Sequence, residues 1–140
     1  MATPEVPRGN ESVLLVEPDA ETRALAAFML GRLGYRVTEA RNSAEAVRIH
    51  DEQDRGFDLL LVESVMPRMN GHDLAEMFRA RRPGLRVLLL GDSKYERLTR
   101  RAASRKGSGF LCRPFTMASL AARVRESLDQ NRTLTAGSRT

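Results

Sequence analysis

The sequence predicts a doubly wound α/β domain, a five-stranded parallel sheet with helices on both faces. Three observations carry the prediction. Strand-like and helix-like segments alternate five times along the 140 residues. The run over Phe57–Glu63, which contains DLLLVE, is apolar on both faces, as a strand covered from each side must be. Right-handed crossovers between parallel strands then place the intervening helices on the two faces of one sheet.

The elements follow in order. Residues 1–11 hold two prolines, a glycine and polar side chains, the composition of a flexible leader. Ser12–Val16 (SVLLV) is a strand that stops at Glu17-Pro18-Asp19, and Asp19 is placed to cap the next helix. That helix spans Ala20–Leu33, with Leu25, Phe28, Met29 and Leu33 at helical spacing and Gly34 as its stop. Tyr35–Glu39 is the second strand, and Ser43 caps a helix that runs to about Gln53. After the third strand come a helix over Gly71–Arg81, a strand over Leu85–Leu90 and a helix over Ser93–Arg105. A short strand over Gly109–Cys112 and a helix over Thr116–Leu128 complete the domain at residues 12–130, and 131–140 form a polar, flexible tail.

Composition excludes several classes. One cysteine, Cys112, permits no internal disulfide and agrees with a reducing compartment, so a cytoplasmic location is expected. The segment MATPEVPRGNES lacks the apolar stretch of a signal peptide, and no run has the length of a membrane span. The 23 basic residues exceed the 18 acidic ones by a formal charge of +5, which permits a weak attraction to polyanions or acidic protein surfaces. No Walker loop, dinucleotide fingerprint or Ser/His/Asp arrangement is present, so an enzyme is not expected. His50 and His72 have no partner at metal-ligand spacing, and Cys112 reads as a small buried side chain.

Ligands of doubly wound sheets bind beyond the carboxyl ends of the strands. Those ends carry Glu17-Pro18-Asp19, Glu63, Gly91-Asp92 and Arg113. Together with VLLVEPD, DLLLVESVMPRMNG and GFLCRPF, they make residues 12–128 resemble the receiver domain of two-component response regulators, a flavodoxin-like (βα)5 fold. The resemblance implies that the third strand ends in an aspartate that accepts a phosphoryl group. It also implies two acids holding magnesium after the first strand, a hydroxyl at the end of the fourth and a lysine at the end of the fifth.

Four of these positions differ. Glu63 stands at the acceptor position, with its carboxylate one methylene further from the backbone. Pro18 removes the second acid of the pair, Gly91 removes the hydroxyl and Arg113 replaces the lysine. Asp92 adds negative charge beside the phosphoryl path. Magnesium requires near-octahedral oxygen ligands, so the site is expected to hold no metal, with Glu17, Asp19 and Glu63 the only carboxylates placed to contact one. Glu63 and Arg113 either form a standing ion pair that partly imitates a phosphorylated acceptor, or leave an inert strand-end acid.

The resemblance also implies a cis Arg113-Pro114 bond and assigns Phe110 to a switch aromatic, whose alternative is a plain core phenylalanine. It places protein partners, an output domain or a separate regulator, on the face of the fourth helix, fifth strand and fifth helix. The predicted fourth helix holds Lys94, Arg97, Arg100, Arg101, Arg105 and Lys106. No aromatic interleaving or recognition helix accompanies these charges, so nucleic acid is not the expected partner. Three functions follow: a phosphorylation-independent receiver acting by protein contact, a divergent phospho-receiver using magnesium, and a polyanion-binding regulator.

Overall fold

The computed structural model describes residues 6–53, 55–92, 94, 97, 100, 101, 103 and 107–138. Its elements are β1 (Ser12–Val16), α1 (Ala20–Arg32), β2 (Arg36–Ala40), α2 (Ser43–Glu52), β3 (Leu59–Glu63), α3 (Gly71–Arg81), β4 (Arg86–Asp92), β5 (Gly109–Arg113) and α4 (Met117–Ser138). All neighbouring strands are parallel, in the order β2-β1-β3-β4-β5. The helix expected over 93–105 falls largely outside the described residues, of which Arg97, Arg100, Arg101 and Ala103 have helical backbone.

Alternate residues of each strand supply two apolar layers. Leu14, Val16, Leu60, Val62, Val87, Leu89 and Phe110 face α2 and α3, meeting Ala46, Leu74, Ala75 and Phe78. Val13, Leu15, Leu59, Leu61, Leu88, Leu90 and Leu111 face α1 and α4, meeting Ala26, Leu30, Leu33, Leu120, Ala121, Val124 and Leu128. Burial of both faces removes the polar alternation from β1, β3 and β4. His50 stacks on Phe78 between α2 and α3, with ring centroids 4.2 Å apart.

Several boundaries differ from the sequence reading for local reasons. Asn42, not Ser43, caps α2, accepting from the Glu45 backbone at 2.8 Å. Ser43 begins the helix and gives its hydroxyl to Met69 O at 2.9 Å. In α1 the buried residues are Ala26 and Leu30, followed by Leu33 at the cap, whereas Leu25 and Phe28 are exposed. This helix is apolar on two sides, so spacing alone selects no face. The last helix continues past Leu128 to Ser138, because polar residues do not end a helix and the first glycine after Leu128 is Gly137.

Residues 6–11, which composition assigns to the leader, lie against the domain. Gly9 N donates to Leu33 O at 3.1 Å, and Val6 packs on the α1/α4 layer. Arg125 binds Arg8 O at 3.1 Å, the Glu11 carboxylate at 2.5 Å and Asp129 at 3.1 Å. Gly34 has φ of 103°, and a Cβ there would meet Gly9 O at 2.3 Å, so the contact needs glycine on both counts.

Candidate functional site

The strand order reverses between β1 and β3, and the crevice of a doubly wound sheet opens at that point. Here it is a cavity of about 870 Å³ lined by Glu17, Pro18, Asp19, Glu63, Ser64 and Arg113, among others. Four strand ends deliver its charged groups. Glu17 follows β1, Glu63 ends β3, Asp92 ends β4 and Arg113 ends β5.

Arg113 joins them. Its Nη1 bonds Glu63 Oε2 and lies 3.6 Å from Glu17 Oε1. Its Nη2 contacts Glu63 Oε1 at 3.4 Å, and Asp92 Oδ1 accepts from Nη2 at 2.7 Å and from Nε at 3.1 Å. One planar guanidinium thus reaches three carboxylates, as its fork of donors allows. Burial pulls the Arg113 pKa down, but the bonds to Glu63 and Asp92 more than offset this and hold it above the ordinary arginine value.

Glu17 is 3% exposed. Its Oε2 accepts from Asp19 N at 3.0 Å, while Oε1 has no hydrogen-bond partner. Burial pushes its carboxyl up to about 7, and the neighbouring Glu63 carboxylate adds to the rise against the Asp19 bond. Asp19 lines the crevice but is engaged by the next helix. Its carboxylate caps α1, accepting from Thr22 N at 2.8 Å and Thr22 Oγ1 at 2.7 Å.

Gly91 lies opposite Cys112 in the β4–β5 register. A Cβ at Gly91 would meet Phe110 Cε1 at 2.8 Å and Ser64 Oγ at 3.0 Å. The space of a fourth-strand side chain is therefore taken by an aromatic ring from β5 and a hydroxyl from the residue after Glu63. Phe110 is buried in the α2/α3 layer, and the Arg100 guanidinium lies 5.8 Å from its ring centroid. The Arg113-Pro114 bond is cis.

The residues do not fit a magnesium ion. Pro18 offers no carboxylate, Asp19 is committed to the α1 cap, and the Arg113 guanidinium already lies against Glu17 and Glu63. Among the described residues, no group of three or more His, Cys, Asp or Glu side chains is arranged to hold a metal.

Residues 13–125 match the response regulator receiver domain family. The chain belongs to the response regulator receiver domains. Such domains act in two-component signalling. The sensor kinase CckA of Brucella abortus is 30% identical over 122 residues, 87% of this receiver domain but 13% of the kinase. The DNA-binding transcriptional regulator NtrC of Azospirillum brasilense is 29% identical over 121 residues, 86% of this chain and 24% of NtrC. This receiver domain thus spans a small part of those two relatives. It spans 95% of the response regulator receiver protein CpdR of Brucella abortus, at 28% identity over 116 residues and 83% of this chain. Among solved structures, the HemR receiver domain of Leptospira biflexa superposes with a TM-score of 0.72 at 28% identity, covering 85% of this chain and 94% of that one. A receiver domain protein from Clostridium thermocellum gives a TM-score of 0.79 at 21% identity, covering 89% and 98%.

The structure brings Glu17, Glu63, Asp92 and Arg113 of this receiver domain together and sets Gly91 and Phe110 in contact behind them. Ser64 escaped the sequence reading. It is buried and lines the crevice, but as the residue after a strand-end acid it had no signal beyond its position. Among the described residues no helix is long and apolar enough to cross a membrane.

Proposed function

We propose that this receiver domain signals without accepting a phosphoryl group and acts through protein contact. One observation carries the reading: the carboxylate at the acceptor position, Glu63, is already bonded to Arg113, which also holds Asp92. In-line phosphoryl transfer requires a positioned, free nucleophile and cations that gather charge as it develops. A carboxylate held by a permanent counter-ion meets neither requirement. The pair instead maintains, without modification, part of the contact that a modified acceptor would make to a cation, with one negative charge where a phosphate ester carries nearly two.

Pro18 and Gly91 support the same reading, since each removes a group that phosphoryl transfer would use. No cofactor enters the proposal. The partner surface is the face around β5, α4 and the described residues between them, of which Lys94, Arg97, Arg100 and Arg101 are exposed. Its charge suits an acidic protein surface, whether an output domain or a separate regulator. Incubation with acetyl phosphate and magnesium tests the reading, with intact-mass detection of a phosphoryl adduct. No adduct is expected; a magnesium-dependent adduct that Glu63→Gln abolishes would overturn the proposal.

A further inference from the structure

Glu17 and Glu63 are 3% and 5% exposed, and both line the same crevice. Buried carboxylates at such proximity require a positive charge between them or a proton on one of them. The charge present is the Arg113 guanidinium, bonded to Glu63 and 3.6 Å from Glu17 Oε1. That Glu17 oxygen is buried and accepts no hydrogen bond, and among the described residues the Arg113 guanidinium is the cation placed within 4 Å of it. Asp92 anchors the other edge of the arginine through Nε and Nη2. A single tethered cation thus serves two buried acids and is braced from outside by a third.

We propose that the Arg113 guanidinium takes the place of a divalent cation between Glu17 and Glu63, so that removing the arginine opens a cation site on these two carboxylates. The inference rests on the role given to Arg113 above but extends it from phosphoryl transfer to metal binding. A divalent ion entering the native crevice must displace a side chain bonded to both Glu63 and Asp92. Once the arginine is gone, Glu17, Glu63 and Asp92 remain without it, and hard divalent ions prefer such oxygen donors.

The full chain is titrated with Mn²⁺ at about pH 8, where Glu17 is ionised, while paramagnetic broadening of assigned amide signals is followed. The native chain is expected to show no saturable broadening centred on Glu17 and Glu63. Arg113→Ala is expected to bind Mn²⁺ there at least about tenfold more tightly, the scale set by deleting a unit charge beside a divalent ion. Adding Glu17→Gln to that variant is expected to abolish the gain. Arg113→Gln, which keeps much of the side chain's bulk, provides the same comparison if the alanine variant does not fold. Saturable binding by the native chain as tight as by the variants would overturn the inference, as would a folded variant with no gain. Either result leaves an unlabelled native chain consistent with phosphorylation-independent signalling. A phosphoryl adduct alongside the expected Mn²⁺ results would sink that reading alone.

Discussion

A glycine in the fourth strand and a phenylalanine in the fifth constrain each other. With 2.8 Å between a Cβ at position 91 and Phe110 Cε1, any side chain there must move the ring or the strand. Gly91→Ala is therefore expected to destabilise the fold by about 1–3 kcal/mol, the usual range for overpacking a filled site. Urea unfolding measures the loss, and altered aromatic signals of Phe110 locate it; an unchanged midpoint with unchanged Phe110 signals would contradict the contact. Glu63 and Arg113 were legible in the sequence as neighbours in one pocket because they end the third and fifth strands of a recognisable pattern, with an ion pair as one of two readings. The reach of Arg113 to Asp92 and Glu17 was not, since it depends on a side-chain path that spacing does not encode. The same holds for Ser64 Oγ, which fills space beside Gly91 because of local backbone geometry and not because of any motif.

Among elements, the N-terminal segment was the least legible. Its prolines and polar residues read as a leader, yet Arg125 on α4 binds Arg8 O and the Glu11 carboxylate, 114 residues away in the latter case. Long-range ion pairs leave no periodic trace in sequence. Arg125→Met keeps the aliphatic packing but deletes the charged hydrogen bonds, and is expected to cost about 1–3 kcal/mol. Hydrogen exchange should locate the loss: the Gly9 amide, bonded to Leu33 O, is expected to exchange faster in the variant while β3 amides keep their relative protection. Equal Gly9 protection in both proteins would show that the clamp does not hold the segment. The strands were legible in place and direction because β1, β3 and β4 are apolar on both faces. The buried face of α1 was not, since Leu25 and Phe28 recur at helical spacing just as Ala26 and Leu30 do, and only tertiary packing distinguishes them.

For the whole molecule, the buried crevice sets a dependence of stability on pH. Glu17 has its carboxyl at about 7 in the fold against an ordinary value of 4.5, so the folded state holds the proton more tightly. Its contribution is fully present below pH 4.5 and is lost as pH rises through about 7. Glu11, held down by Arg125, Asp19, held down by Thr22, and Glu45, held down by Arg41, act in the opposite sense. Their contributions are lost as pH falls below ordinary values of 4.5, 3.8 and 4.5. Chemical denaturation across this range is expected to show stability declining between pH 4.5 and about 7, and Glu17→Gln is expected to flatten that decline. Native and Glu17→Gln curves of the same slope over this interval would contradict a raised Glu17 carboxyl. The strand order adds a consequence in time. β2, β1 and β3, adjacent in the sheet, are all synthesised by Glu63, whereas Arg113 follows 50 residues later. At about 5–20 residues per second, the two acids wait several seconds for their counter-ion. The acidic strand ends are thus made before the guanidinium that offsets part of their charge, and β5 brings it last.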